Sequence, residues 1–574
     1  MSPTLETKQM TVVETQTGAV SHKKILDWNA IDWRQVNQNV RRLQARIVKA
    51  TQAGRWNKVK SLQHLLTHSF SGRCMAVKRV TTNEGRKTPG VDGIIWNTPG
   101  KKAAAIDDLR TRGYKPQPLK RVYIPKKNGR PRGLNVPVMK DRAMQALYLQ
   151  ALDPIAETKA DPNSYGFRVG RSPADAIDQC FKSLSRKGAA RWILEGDIHS
   201  CYDAILHEWL LSNIPMDKTI LRKWLKAGFI ERGRFHSTEV GAPQGGIISP
   251  VLMNLTLDGL ERVFSDQPRF QKQTRSGKTT RVNFIRFADD FIVTGVTKEL
   301  LEVEIKPLID EFLNARGLRL SAEKTRIIQI SEGLDFLGQH LRKYNCGKLL
   351  IRPSKKSSQH LLGQIRSVIH KNPHISPGVL IRLLNPILRG WAGYHRHVAS
   401  KQTFAKIDHA VFWAVWRWCL RRHPNKPCHW IKARYLPRVG NRSWVFSGKL
   451  SIRGEDRTVR LYNLSETPIR RHIKIKGEAN PYDPAWEPYF ERRMDEQTVA
   501  SLSGLKKLLG LWKRQKGLCL VCRQKVTKQT GWQSHHLIWR SHGGSDGVTN
   551  LALLHPECHQ RVHSQKLVVM TLRL

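Results

Sequence analysis

Acidic residues are scarce in this chain: 46 Asp and Glu stand against 98 Lys and Arg in 574 residues, a formal charge of +52. A surplus of that size repels itself unless a polyanion sits against it, so nucleic acid is the expected partner. Long apolar runs are also missing. The longest, residues 411–416, is closed by Arg417 and falls far short of the ~20 residues a membrane helix needs, so no membrane span and no membrane partner are expected. Residues 1–20 are polar and Thr-rich with Glu6 and Glu14, lacking both the apolar core of a signal peptide and the acid-poor, Arg-rich character of a transit peptide, which points to an intracellular protein. The nine cysteines form no disulfide framework: Cys74, Cys180, Cys201, Cys346, Cys419 and Cys428 are scattered singly, and the three that cluster near the end suggest metal. No internal repeat is visible. With 17 Trp and 40% hydrophobic residues the chain is neither a short ribosomal protein nor a low-complexity packer, and its length predicts about three or four domains with real cores.

Between Trp33 and Phe70, apolar residues recur at helical spacing (Leu43, Ile47, then Val59, Leu62, Leu65, Leu66), which predicts two amphipathic helices rich in Arg and Lys. A turn-rich patch, Gly90-Val91-Asp92-Gly93, follows. From 122 to 337 short apolar runs alternate with helical stretches, as in 192–194 and 284–293, and predict a mixed α+β body. Residues 341–460 hold 25 Lys or Arg and only three acids (Asp408, Glu455, Asp456), interleaved with Trp391, Tyr394, Trp413, Trp416, Trp418, Trp430 and Trp444. Phosphate contacts and base stacking call for that pairing of residue types, although core packing is the better reading of most individual tryptophans. Residues 477–496 reverse the balance, with three prolines and the acids Glu478, Asp483, Glu487, Glu491, Asp495 and Glu496, and read as a linker or domain edge. A compact terminal unit follows from about Leu505.

The string Asn283-Phe-Ile-Arg-Phe-Ala-Asp-Asp-Phe-Ile-Val293 sets two adjacent carboxylates, Asp289 and Asp290, between strand-forming runs, and a second run, Arg191-Trp-Ile-Leu-Glu-Gly-Asp197-Ile198, ends in another. Nucleotidyl transfer needs acids from separate strands to bracket two divalent cations. An Asp-Asp turn alone is weak evidence, since Asp favours turns in any case. The order of the surrounding blocks is far more specific, and it resembles that of the reverse transcriptases encoded by group II introns over nearly the whole chain. Arg121-Val-Tyr-Ile-Pro-Lys-Lys-Asn-Gly-Arg130 resembles the fingers hairpin that meets the incoming triphosphate, which implies Lys126 and, second, Lys120 as dNTP-binding residues. Ser164-Tyr-Gly-Phe-Arg168 matches the next block. Asp197-Ile-His-Ser-Cys-Tyr-Asp203 matches the palm block, implying Asp197 and Ile198 at the metal and Tyr202 as the aromatic gate against a ribose 2′-hydroxyl, where the family more often has Phe. Gly241-Ala-Pro-Gln-Gly-Gly-Ile-Ile-Ser-Pro250 resembles the motif whose Gln, here Gln244, lies under the nascent base pair. Phe287-Ala-Asp-Asp290 stands for the family's Tyr-Ala-Asp-Asp; Ser321-Ala-Glu-Lys-Thr325 and Asp335-Phe-Leu-Gly338 complete the palm, with Lys324 structural or primer-facing. The strings Leu384-Asn-Pro-Ile-Leu-Arg-Gly-Trp-Ala-Gly-Tyr394 and Phe412-Trp-Ala-Val-Trp-Arg-Trp418 resemble the thumb, or maturase domain, of the same family.

Near the end, Cys519 with Cys522 and His555 with Cys558 have the two-residue spacers of a tetrahedral zinc knuckle. The neighbouring residues resemble the HNH nuclease motif, which implies His536 as general base and His535, His559 and His563 as ligands of a hydrolytic ion, with Asn550 positioning the loop or completing the shell. Neutral-range titration suits His for that proton transfer.

The expected fold is multidomain α+β: a right-hand polymerase, a helical thumb, a basic DNA-binding region and a ββα-metal HNH domain. Expected boundaries are a flexible tail 1–30, N-terminal helices and the start of the fingers 31–118, fingers and palm 119–340, thumb 341–425, DNA-binding region 426–476, linker 477–504 and endonuclease 505–574. The resemblance implies Mg2+ at the polymerase site, Zn2+ in the knuckle and a divalent ion, Mg2+, in the HNH site. It implies intron RNA, target DNA and dNTPs as partners, and a bacterial cytoplasm or nucleoid as the setting. A splicing factor without polymerase function is the main alternative, opposed by Asp197, Asp289 and Asp290. Retron or diversity-generating reverse transcriptases are a second, opposed by the maturase-like and HNH strings.

Overall fold

A computed structural model describes residues 27–125, 131–270, 280–452, 455–502, 506–539, 542–545, 547–565 and 567–569. The expected tail ends earlier than 30, because Trp28 is buried and stacks edge-on against Trp33 at 4.8 Å. Helix α1 (Trp33–Gln52) starts where Asp32 accepts hydrogen bonds from the backbone N–H groups of Arg34 and Gln35, a standard N-cap. Helix α2 (Trp56–His68) ends at Ser69, whose extended backbone and side chain, accepting from the Gly72 N–H, start α3 (Phe70–Thr82). The apolar faces of α1 and α2 meet the helix Met139–Lys159 through Val40, Ile47, Val59, Leu62, Leu66, Ala151 and Ile155. That central helix is buried on nearly every side, which explains why its sequence shows little amphipathic contrast.

Strands β1 (Leu119–Pro125) and β2 (Pro131–Val136) form an antiparallel hairpin. Strand β3 (Trp192–Asp197) belongs to another sheet; β4 (Phe229–Glu231) pairs parallel with β1, and β5 (Arg234–His236) completes the order β2-β1-β4-β5. The second sheet has the order β6-β7-β3-β8, from β6 (Asn283–Phe287), β7 (Asp290–Gly295) and β8 (Arg326–Gln329). Strands β9 (Leu334–Phe336), β10 (Gln339–Lys343) and β11 (Leu349–Pro353) form a third sheet, so the boundary expected at 340/341 cuts through paired strands. Mixed α/β organisation thus holds across residues 119–353.

Beyond it, the helices Lys355–Lys371, Pro377–His395, Lys401–Arg422 and Cys428–Tyr435 surround a core containing Leu384, Phe404 and the fully buried Trp418. The hairpin of β12 (Ser447–Ile452) and β13 (Glu455–Arg460) lies on the second of these helices, and Phe446 and Leu464 join the same core. The split expected at 425/426 is therefore no break in packing.

The acidic stretch expected as a linker is packed against the sheet body instead. Buried Asp175 accepts hydrogen bonds from His472, from the Ile475 N–H and from Arg493, while Arg171 donates to the carbonyls of Gly477 and Ala479. Tyr482 donates to Asp153, and Phe490 is buried on the helix Glu487–Leu502. Its acids have basic partners: Glu487 meets Arg41 at 3.4 Å and Asp495 meets Lys525 at 2.9 Å. Composition alone missed this, because proline and acid content report turns and charge but not the surface that receives them.

The last unit contains the helix Lys506–Arg514, a hairpin of β14 (Gln533–His536) and β15 (Leu551–Leu554), and the helix Pro556–Gln565 around Leu511, Val526, Leu553 and Val562. It touches the N-terminal helices: Gln524 donates to the Trp33 carbonyl at 3.2 Å, and Lys78 pairs with Glu557 at 3.2 Å. Among the described residues no helix is long and apolar enough to cross a membrane.

Candidate catalytic and metal-binding sites

Antiparallel pairing of β3 with β7 puts Asp197 directly opposite Asp290. The β6–β7 hairpin closes with Phe287 opposite Asp290, so Ala288 and Asp289 form the turn, with Ala288 at φ +60°. Three carboxylates thereby meet at one end of one sheet. Gly196, the residue before the first of them, has no room for a side chain: a Cβ there would lie 2.2 Å from the Phe291 ring. The turn is held from beneath by Arg286, fully buried on β6, which pairs with Asp258 and donates to Asn254 Oδ1 at 3.2 Å and the Ala288 carbonyl at 3.3 Å.

Packing around the cleft strips hydration from these acids, and their mutual repulsion adds to it. Asp290 opens to solvent at the mouth, yet desolvation first, then Asp289 and Asp197, push its carboxyl up to about 6. Asp289 is raised for the same first cause, with Asp197 adding to it. Lys324 supplies one counter-charge, its Nζ 2.7 Å from Asp197 Oδ2, and the hydrogen bond to that carboxylate raises the lysine pKa. Three acids against one exposed ammonium is a donor set that suits divalent cations, hard ions that take carboxylate oxygens. Ile198, buried, has a hydrocarbon side chain, so its main-chain carbonyl is the one group through which it could serve as a ligand. A cation binding among these acids would compete with the proton on Asp290 below about pH 6. The Mg2+ concentration giving half-maximal primer extension is therefore expected to rise as pH falls through about 6 and to flatten above it. Titrations at pH 5.5 and 7.5 with equal Mg2+ requirement would contradict this.

Tyr202 is buried beside the acids; its carbonyl accepts the Ala242 N–H at 2.6 Å, tying it to the loop that carries Gln244. The Gln244 carbonyl accepts from the Asn135 N–H at 2.7 Å, and its Oε1 accepts from Arg132 Nε at 2.8 Å. Gly245, at φ +115°, allows that approach, since a Cβ would lie 2.5 Å from the Asn135 carbonyl oxygen. Lys120 is exposed on β1 opposite Val136, and among the described residues no ion pair links it to the carboxylates. Lys126 lies outside the described residues. Arg132 and Arg286 were not singled out from sequence; Arg132 sits on β2, in the hairpin that Lys126 drew attention to, and Arg286 sits within the string that supplies the acids.

In the last unit the ligand atoms of Cys519, Cys522, His555 and Cys558 lie within 4.8 Å of one another. His555 Nε2 is 3.0 Å from the Lys525 carbonyl, which it can meet only as a donor; that fixes the tautomer and leaves Nδ1, 3.3 Å from Cys522 Sγ, free to ligate. A second group, His535, His559 and His563, is gathered as tightly. Among the described residues the Nδ1 of buried His535 has no hydrogen-bond partner, an orphan that a cation would satisfy. Burial, then His559, His563 and His536, push His535 down to about 4, so its imidazole is neutral and ready to ligate. His536 follows on β14, half-buried and outside the group of three, as strand alternation requires. Asn550 holds the loop: Oδ1 accepts the Ile538 N–H at 2.7 Å, while Nδ2 donates to the carbonyls of Ile538 and Ser545. Of its two expected roles the geometry has the loop-positioning one.

Family profiles match in the same order as these features: the N-terminal domain of reverse transcriptase at 28–109, reverse transcriptase (RNA-dependent DNA polymerase) at 124–341, the group II intron maturase-specific domain at 358–436 and HNH endonuclease at 519–565. Protein YkfC of Escherichia coli (strain K12) is 33% identical over 303 residues, covering 46% of this chain and 79% of that protein. Group II intron-encoded protein LtrA of Lactococcus lactis subsp. cremoris is 28% identical over 356 residues, covering 51% and 59%. Maturase-like protein 1 of Euglena gracilis is 24% identical over 367 residues, covering 62% and 74%. With the acids, the maturase-specific region and the terminal histidines all falling inside matched segments, this chain belongs to the group II intron-encoded reverse transcriptases and maturases that carry an HNH endonuclease domain.

Proposed function

We propose that the chain serves intron mobility and splicing by three linked activities: RNA-directed DNA synthesis, stabilisation of the folded intron RNA, and nicking of a DNA target whose freed 3′-hydroxyl primes the copy. The observation that carries the polymerase reading is the strand register that sets Asp197 opposite Asp290, with Asp289 on the adjoining turn. In this reading the β1–β2 hairpin is the fingers, the β6-β7-β3-β8 sheet the palm, and the helices from Lys355 the thumb, followed by the basic DNA-binding region.

Magnesium held by Asp197, Asp289, Asp290 and the Ile198 carbonyl would lower the pKa of the primer 3′-hydroxyl and neutralise the triphosphate. The chain's own groups then orient the reactants. Tyr202 and Gln244 shape the floor of the nucleotide site, Arg132 fixes Gln244 and adds positive charge for the phosphates, and Lys120 and Lys126 extend that charge along the hairpin. As the primer oxygen bonds to the α-phosphorus, pyrophosphate leaves. In the terminal unit, zinc on Cys519, Cys522, His555 and Cys558 would be structural. His536 would take a proton from the attacking water, while His535, His559 and His563 hold a divalent ion, Mg2+, at the scissile phosphate.

Splicing needs no catalytic residue here, because the RNA performs that chemistry and the protein supports its fold. The basic face at 342–460 is the proposed RNA and DNA surface, with lysines and arginines over aromatic rings, such as Lys432 4.5 Å from the Trp444 centroid and Arg434 5.3 Å from that of Trp430. Neutralising Arg389, Arg421, Lys432 and Arg434 together should weaken RNA binding and lower the slope of log affinity against log salt by about three units, as counterion release requires. An unchanged slope in a filter-binding series would move the RNA surface elsewhere.

A further inference from the structure

A cavity of about 680 Å3 opens between α2, the C-terminal half of the helix Met139–Lys159 and residues 212–218, and none of the catalytic or metal-binding residues above lines it. One wall is Trp56, 37% exposed. Tyr148, only 5% exposed and packed edge-on against Trp224 at 5.5 Å, lines it as well. Val59, Ala151, Ile214 and Met216 add apolar surface, and Gln63, Thr67, Ser212 and Asn213 add polar surface, with Gln63 Nε2 donating to the Pro215 carbonyl at 2.8 Å.

The rim is cationic. Lys159 Nζ lies 4.3 Å from the Trp56 ring centroid, and Lys60 and Lys218 stand beside it. Among the described residues none of these three ammonium groups has a carboxylate partner; Lys218 donates to the Ile214 carbonyl at 2.6 Å. The one acid of the lining, Asp217, is already committed, accepting the N–H groups of Thr219 and Ile220 as a helix cap. His64 and His68 stack at 3.9 Å on the same helix.

An apolar ligand would need no cationic rim, and a bare polyanion would need no aromatic-walled hole. A nucleotide uses both, its base on the ring and its phosphate among the lysines, and 680 Å3 lies within the usual size of a small-molecule site. The wall continues into α1 and α2, where residues 33–68 contain eight Lys or Arg and no acid, so a nucleic-acid backbone could run on from the cavity. We propose that this cavity receives one unstacked nucleotide of bound RNA, its base against Trp56 and its phosphate between Lys60, Lys159 and Lys218. The proposal rests on the reading of RNA as the partner and adds to it a base-binding pocket outside the polymerase centre and the basic helical region.

The test uses the full chain and a fluorescent U15 oligonucleotide containing 4-thiouridine, at a salt concentration that suppresses nonspecific attraction. Trp56→Ala should weaken binding about tenfold without changing the salt slope, because stacking releases no counterions, while Trp56→Phe should stay within about threefold of wild type. Lys60→Gln with Lys159→Gln should lower the slope itself, and this pair carries the test if Trp56→Ala does not fold. Photocrosslinks should map to Trp56–His68. Wild-type affinity in Trp56→Ala, or crosslinks confined to 342–460, would overturn the pocket while leaving RNA as the partner. No binding of U15 by the wild type would overturn both readings. Free UMP binding as tightly as U15 and competing with it would make this a mononucleotide site and overturn the RNA assignment.

Discussion

Asp289→Ala is expected to abolish RNA-templated primer extension while leaving RNA binding and intron splicing close to wild type. The carboxylate sits on a two-residue turn with Asp197 and Asp290 across one register, so its removal takes a ligand from a centre whose only ion-pair partner among the described residues is Lys324. Losing metal-borne stabilisation of a phosphoryl transition state is worth several kcal/mol, on the order of a thousandfold in rate or more. The fold should tolerate the change. Among the described residues Asp289 makes no ion pair, and relief of repulsion with Asp197 and Asp290 favours the native state wherever all three are ionised. Splicing support should persist because most of the basic region lies on the helices from Lys355 to Tyr435, which pack around their own core. Primer extension, RNA affinity and splicing measured on one preparation check the claim, and extension at a normal rate would remove Asp289 from the metal site.

The second large effect separates the two histidine–cysteine groups of the terminal unit. Cys519→Ser or Cys558→Ser should release zinc and unfold that unit, since structural zinc contributes apparent binding energies of about 10–16 kcal/mol in isolated fingers, more than so small a core supplies. Nicking would vanish with the fold. His536→Ala should keep zinc and fold yet lose the nick, because His536 lies outside both ligand groups. Extension from a pre-annealed primer should survive in every case. The unit does touch the N-terminal helices through Gln524 and Trp33 and through Lys78 and Glu557, but that ion pair is partly exposed and worth about 1 kcal/mol at most. Zinc stoichiometry, strand nicking and extension on each variant decide it. A His536→Ala protein that still nicks has another base; one that loses zinc means His536 belongs to a metal shell.

Chemistry that depends on residue type at a strand end was legible before any coordinates. Asp197, Asp289 and Asp290 meet at one end of a sheet, the four residues with zinc-knuckle spacing form one group, and the three histidines that the HNH resemblance singled out form another. What depends on a distant surface was not legible. The acids at 478–496 looked like a linker because nothing local reveals that Asp175 and Asp153 wait to bind the segment from His472 to Arg493. The anchoring of the loop by Asn550 through Ile538 and Ser545 was one of two roles open from sequence, because its partners lie on a segment whose path no local pattern reveals. Arg286 carries no motif of its own, and its role under the turn follows only from its burial against Asp258. The Trp56 cavity draws on three segments far apart in the chain, 56–68, 148–159 and 212–218, so no window of sequence contains it.

The most direct test of the account is to purify the full chain with its bound RNA, add dNTPs, Mg2+ and short DNA primers of random sequence but no template, and sequence the cDNA. The account predicts cDNA copied from one enriched structured RNA, the transcript that surrounds the chain's own coding sequence, and none when Asp289→Ala replaces the wild type. Ribosomal RNA background without an enriched intron, or cDNA that persists in the variant, would contradict it.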